Sequence, residues 1–269
     1  MTVPLPIAEA RTVITRFIKG KLAQSGLRAY VVGISGGIDS AVATSLAVEA
    51  VGPESVLGLV MPYRTSDPQS AADALSLIET LGIEHRVVDI SPMIDAYYPE
   101  ITEANRLRAG NKMARERMAV LFDIAHERGR LVLGTGNRTE ICLGYTTWYG
   151  DGACSLNPVG ELYKTEVRQM AALVGVPQAI IDKAPSADLW AGQTDEDEIG
   201  VPYELIDRLL RRLVDDGEMS MSRLEQEGFH ATDVSRVVSL MNRNAFKRRL
   251  PDVAPLGKAA IPGDIILQE

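Results

Sequence analysis

Cysteine and histidine are scarce in this 269-residue chain, with two of the first and three of the second. Cys142 and Cys154 form no Cys-x-x-Cys pair and match no histidine cluster. That excludes a zinc finger and a disulfide-stapled scaffold and leaves two reduced thiols. No apolar run approaches membrane-spanning length. The opening Met1-Thr2-Val3-Pro4-Leu5-Pro6 has no basic segment followed by an apolar one, so the expectation is a soluble, cytoplasmic protein without a membrane partner. Basic charge is in deficit too: 28 Lys and Arg stand against 36 Asp and Glu, and the net charge of −8 argues against a nucleic-acid partner. Local cations can still bind a small anion. There is no internal repeat and no low-complexity tract. The 46% hydrophobic content supports a sizeable core, as in one large α/β domain.

What is present begins at Ala29-Tyr30-Val31-Val32-Gly33-Ile34-Ser35-Gly36-Gly37-Ile38-Asp39-Ser40. An apolar, β-branched run reads as a buried strand, and residues 41–48 read as a helix that follows at once. Glycines between them let backbone amides approach a bound anion, and the amides opening the helix point at it. A Walker A loop would need Gly-Lys-Ser/Thr, and no lysine lies between Gly33 and Ser40; the spacing does not give Gly-x-Gly-x-x-Gly either. The string Ser-Gly-Gly-Ile-Asp-Ser instead resembles the pyrophosphate-binding loop of the ATP pyrophosphatases, which cleave ATP between its α- and β-phosphates.

Helical spacing over residues 7–22, a strand at 56–62, a helix at 67–81 stopped by Gly82, a strand at 85–90, a long helix over about 111–127 and a strand at 131–134 predict a doubly wound, mostly parallel sheet. Ligands bind such sheets beyond the carboxyl ends of the strands, where residues 35–40, 62–66 and 135–140 all fall. Residues 144–160 read as an ordered functional loop and 164–174 as a helix. The polar stretch 182–200 has the profile of a mobile lid, and helices at 203–214, 219–227 and 231–241 precede a basic tail. One domain is therefore expected over 1–269: an N-terminal helix to 28, an α/β core over 29–185, a lid loop over 186–200 and C-terminal helices with the tail from 201.

Asp39 lies inside the phosphate loop. A carboxylate there repels polyphosphate unless a divalent cation intervenes, so it points to Mg2+; capping the next helix is the alternative. Glu140, just past the fourth strand, falls across the crevice from Asp39, where the pair can share one ion; the alternative is a surface glutamate on a helix first turn.

The downstream segments narrow the family. Gly134-Thr135-x-Asn137-x-x-Glu140-x-x-x-Gly144-Tyr145-x-Thr147-x-x-Gly150-Asp151-Gly152 resembles the central pattern of the NAD synthetases. The same holds for Asn157-Pro158-x-x-x-Leu162-Tyr163-Lys164-Thr165, for residues 185–196, for Tyr203-Glu204-x-Ile206-Asp207 and for Gly110-Asn111-x-x-Ala114-Arg115-x-Arg117-Met118. These run in order from Gly33 to Lys247. The resemblance implies conversion of nicotinic acid adenine dinucleotide, ATP and ammonia to NAD, AMP and pyrophosphate. It implies that residues 33–40 hold the ATP phosphates, with Asp39 and Glu140 on Mg2+. Val60, Met61 and Ser66 would surround adenine, and Thr135, Lys164 and Ser186 would complete the ATP site. Asn111, Arg115, Tyr145, Trp148, Asp151, Ser155, Glu198, Phe246 and Lys247 would face the dinucleotide, with Asp39, Lys164 and Asp151 catalytic. Members of the family are typically homodimers. The chain also departs from the pattern: Trp148 stands where many relatives have Lys, Ser155 where some have Asp, and Phe246 where His is usual. No segment is left for a glutaminase, so free ammonia is the expected donor unless a separate amidotransferase subunit supplies it. Two rivals remain open at this stage, another adenylating ATP pyrophosphatase (RNA thiolase-like or an amide ligase) and a non-catalytic adenine-nucleotide sensor. Reactive cysteines and a basic surface would mark the RNA enzyme.

Overall fold

A computed structural model describes residues 5–186, 193–254 and 256. The helix α1 (Ile7–Ser25) leads into β1 (Tyr30–Gly33), α2 (Ile38–Val51), β2 (Val56–Val60), α3 (Pro68–Leu81) and β3 (Glu84–Val87). Then come α4 (Ser91–Asp95), α5 (Arg106–Arg128), β4 (Leu131–Leu133), α6 (Arg138–Leu143), α7 (Lys164–Leu173) and α8 (Gln178–Ile181). The chain continues through α9 (Asp195–Ile199), α10 (Tyr203–Leu210), a wide helical turn at Arg211–Asp215, α11 (Met221–Gln226) and α12 (Ala231–Arg243).

The strands pair in parallel in the order β3-β2-β1-β4. Alternation along each strand splits the core between the two faces. Tyr30, Val32, Val56 and Val60 pack with α1, α2 and α7, whereas Val31, Leu57, Leu59 and Val132 pack with α4 and α5. A third apolar cluster, built from Leu143, Tyr163, Tyr203, Ile206, Leu209 and Val237, joins the C-terminal helices to α6. Chain order reverses between β1 and β4, so the switch-point crevice opens between the ends of those two strands.

Three expected boundaries shift. The long helix starts at Arg106 rather than near 111, because Gly110 is buried inside it between Ala109 and Met113 instead of breaking it. The third strand ends at Val87 rather than 90 and carries exposed Glu84, His85 and Val87, as befits an edge strand. The helix expected at 203–214 is α10 followed by the wide turn. Part of the expected lid, residues 187–192, lies outside the described residues, as does most of the tail beyond 254.

Candidate active site

The phosphate loop is shaped by its own serines. Ser40 Oγ accepts from Ser35 N–H at 3.2 Å and donates to the Gly37 carbonyl at 3.0 Å, while Gly37 N–H donates to Ser35 Oγ at 3.2 Å. Gly36 has φ +78, and a Cβ there would stand 2.1 Å from the Ser70 carbonyl oxygen, so only glycine fits beneath α3. The first N–H groups of α2, which have no intrahelical acceptor, face out of this loop with the positive end of the helix dipole.

Asp39 sits on the first turn of α2 but does not cap it; the N-cap is Gly37. Its carboxylate crosses the crevice instead. Asn137 Nδ2 donates to Oδ1 at 2.8 Å, and Lys164 Nζ donates to Oδ2 at 2.5 Å. Asn137 is also the N-cap of α6, in a capping box with Glu140: Glu140 N–H donates to Asn137 Oδ1 at 2.9 Å and Asn137 N–H to Glu140 Oε2 at 3.0 Å. That box aims the Glu140 carboxylate at the same ammonium, 3.9 Å from Lys164 Nζ. Residues after β1 and β4 therefore meet at the switch point.

Lys164 is 2% exposed on the first turn of α7, which rules out a solvated position. Burial lowers its pKa, but Asp39 and Glu140 outweigh burial and hold the ammonium charged. Glu140 goes the other way: burial, then the Asp39 charge, push its carboxyl well above the usual range.

A third carboxylate, Asp195 on α9, is buried where Asp39 and Glu140 are only partly so, and it escapes sequence reasoning. It accepts from Tyr145 Oη at 3.3 Å and Tyr203 Oη at 3.2 Å, and the Tyr203 ring lies 5.3 Å from Lys164 Nζ. Burial raises the Asp195 carboxyl, with Lys164 opposing. In the sequence it closes the 185–196 segment of the family pattern without a role of its own, and only its register with Tyr203 marks it as a site residue. Among the described residues, no three His, Cys, Asp or Glu side chains converge closely enough to hold a metal ion unaided.

The residues expected around ATP fall at the strand ends. Met61 is buried and its carbonyl accepts from Arg117 Nε at 2.9 Å; Ser66 Oγ accepts from Tyr63 N–H at 3.3 Å; Thr135 is half-buried past β4, and Ser186 is exposed. The Val60 side chain belongs to the core, so it offers the crevice main chain only.

Most of the expected acceptor residues gather around a second segment, the 146–151 loop. Asp151 holds the 146–151 loop, accepting from Thr146 Oγ1 at 2.5 Å and Thr147 N–H at 2.8 Å, and Thr147 Oγ1 donates to Asn111 Oδ1 at 2.6 Å. Trp148 stacks on Tyr149 with centroids 4.4 Å apart and meets Phe246 edge-on at 5.2 Å. Tyr149 has φ +60, a conformation that costs a non-glycine residue about 1–3 kcal/mol. Arg115 Nε donates to the Trp148 carbonyl at 3.1 Å, and its guanidinium is exposed. Three residues are turned toward the protein. Tyr145 Oη donates to Glu198 at 2.6 Å; Lys247 Nζ donates to the Gly144 and Thr146 carbonyls at 2.8 and 2.7 Å; Ser155 Oγ accepts from Val132 N–H at 3.1 Å.

The sequence model of the family described as NAD synthase matches residues 11–251. The NH(3)-dependent NAD(+) synthetase of Trichlorobacter lovleyi is 49% identical over 254 residues, covering 94% of this chain and 93% of that protein. Among solved structures, the NMN synthetase from Francisella tularensis is 36% identical at a TM-score of 0.82, covering 93% of this chain and 99% of that one. The NH3-dependent NAD synthetase from Campylobacter jejuni, in complex with nitrate, is 29% identical at a TM-score of 0.78, covering 93% and 100%.

Proposed function

The chain belongs to the NAD synthase family, and from that premise we propose that it uses ATP to amidate the nicotinate carboxylate of nicotinic acid adenine dinucleotide with ammonia, through an acyl-adenylate. Ammonia cannot displace oxide from a carboxylate, so the acid is first activated. A nicotinate carboxylate oxygen attacks the α-phosphorus, the bond to the β-phosphate oxygen breaks, and pyrophosphate leaves. Ammonia then attacks the acyl carbon, AMP leaves and a proton is released. The observation that carries this reading is the meeting of Asp39, Glu140 and Lys164 across the switch point, beside the glycine loop.

Each residue then has a physical role. The amides opening α2 hold the phosphates, and Lys164, kept charged at a fixed place, offsets the charge developing on pyrophosphate. Asn137 and the capping box keep Asp39 and Glu140 turned to one side. Asp39 and Glu140 flank a single ammonium on which the Asp195 charge also acts, an excess of carboxylates that a divalent cation would neutralise. Mg2+ suits it, because Mg2+ commonly uses one or two carboxylates and completes its shell with phosphate oxygens and water. Asp39 and Glu140 would hold it, and it would supply charge neutralisation at the phosphates. On the acceptor side, Arg115 offers an exposed guanidinium and Trp148, Tyr149 and Phe246 an aromatic face. The same proposal covers one synthetase domain, a cytoplasmic setting and a homodimer; α1 leaves Val13 and Phe17 exposed, and α5 leaves Leu107 and Phe122 exposed.

A second reading replaces the dinucleotide by nicotinic acid mononucleotide. It is favoured by Trp148, Ser155 and Phe246, which depart from the residues many NAD synthetases carry, and by the Francisella neighbour's name. Incubation with ATP, Mg2+, ammonium and each acceptor separately, read by mass spectrometry, decides between them. NAD with stoichiometric AMP is expected; NMN alone would transfer the assignment to the second reading, and neither product would end both.

A further inference from the structure

The segment Tyr203-Glu204-x-Ile206-Asp207 is part of the sequence pattern yet has no role in the reaction described above. We propose that Asp207, on α10, is a positioning residue that locks α6 and α7 together and so sets the spacing of Glu140 and Lys164. The role it serves rests on the synthetase reading.

Asp207 is 2% exposed and Thr139 is fully buried. Thr139 Oγ1 donates to Asp207 Oδ1 at 2.5 Å and itself accepts from Lys164 N–H at 2.9 Å. Thr165 N–H donates to Asp207 Oδ2 at 2.8 Å. Thr139 immediately precedes Glu140, and Thr165 immediately follows Lys164. One carboxylate thus grips the chain beside both Glu140 and Lys164. It also places negative charge at the N-terminus of α7, where the Lys164 cation is otherwise unfavourable.

A buried carboxylate is costly unless its oxygens are satisfied, and here both accept from α6 or α7. The grip continues along the same helical face. Arg211, four residues on, donates to Glu166 Oε1 at 2.6 Å. Asp215, four further, accepts from Arg138 Nη2 at 2.5 Å and from Tyr163 Oη at 2.9 Å. Residues three and four apart share a helix face, and the wide turn at Arg211–Asp215 prolongs that face past α10. These partners on and beside α6 and α7 (Arg138, Thr139, Tyr163, Thr165 and Glu166) all lie within two positions of Glu140 or Lys164. The C-terminal helices therefore act as a splint on the crevice as well as a separate apolar core.

The test compares wild type with Thr139→Val, Thr139→Ser, Asp207→Asn and a double variant that combines Thr139→Val with Asp207→Asn. Two quantities are read per folded molecule: the Kd of the Mg2+ complex of α,β-methylene ATP, by calorimetry, and the steady-state constants of the amidation. For Thr139→Val, analogue affinity and kcat should each fall about tenfold, because supporting partners of metal ligands typically contribute that much. KM for the acceptor should hold. Thr139→Ser, which keeps the hydroxyl, should return both to within about threefold, and the double variant should be no worse than its weaker parent, since the two groups act as one unit. Wild-type analogue affinity in Thr139→Val, equal impairment in Thr139→Ser, or additive losses in the double variant would overturn the proposal. If Asp207→Asn does not fold, the valine and serine pair decides. If wild type amidates neither acceptor, the synthetase reading fails on its own, and the analogue-binding arm still judges Asp207.

Discussion

The two walls of the crevice are built by opposite means. On the phosphate side, Asp39, Glu140 and Lys164 are held by a capping box, a short ion pair and hydrogen bonds that join several separate elements. On the acceptor side, Trp148 and Tyr149 stack on a loop, Phe246 is half exposed, and the loop is held by Asp151 and Lys247. On the proposed reading the first wall meets the same triphosphate in every turnover and gains from preorganisation, since donors fixed in advance need no reorganisation as charge develops. On the same reading the second grips whatever carries the carboxylate. Stacking supplies affinity there with looser demands on geometry.

The sharpest way to break the contrast is Lys164→Met. Removing the one ammonium among three carboxylates should lower kcat by about 10²–10³-fold, the range seen when a preorganised charge-stabilising donor is lost. The rate of AMP release reports it, and KM for the acceptor should stay close to that of wild type. Asp39 and Glu140 then also repel one another without a counter-charge, so the melting temperature should fall and Mg2+ should recover part of the loss. A smaller effect is expected from Gly36→Ala. Its Cβ collides with the Ser70 carbonyl and the backbone must leave φ +78, so KM for ATP should rise about tenfold or more while acceptor KM holds. The mildest change, Trp148→Ala, tests the other wall. Acceptor KM should rise about five- to tenfold, as for loss of one stacked base, with KM for ATP unchanged. Equal effects of Trp148→Ala on both substrates would show that the walls are not separate.

The strand–glycine–helix turn is legible in the sequence because its cause is local: a β-branched run, three glycines and a helix start in a dozen residues. The parallel sheet follows from the alternation of strands and helices, and Asp39 and Glu140 follow from their places at strand ends. The edge character of β3 is hidden because the order of strands in the sheet, which leaves β3 with one neighbour, is set by tertiary packing. The start of α5 is hidden because Gly110 weakens the helical pattern there when its burial is unknown. What sequence cannot yield are partnerships set by tertiary register. The burial of Lys164 depends on Asp39, 125 residues away, and Asp195 is buried only because Tyr145 and Tyr203 close over it. Asp207 stands in a motif without a legible role, since its partners at 139 and 165 lie on other helices.

The order of assembly follows from where these partners lie. A nascent chain exposes the glycine loop early, but Asn137 emerges 98 residues after Asp39, Lys164 125 residues after it, and Asp207 another 68 beyond Thr139. Until those segments follow, the loop has no ammonium opposite it and nothing spaces α6 from α7. The constellation is therefore complete only once the chain through Asp207 has been made, and the crevice belongs to the finished fold rather than to its first βα unit.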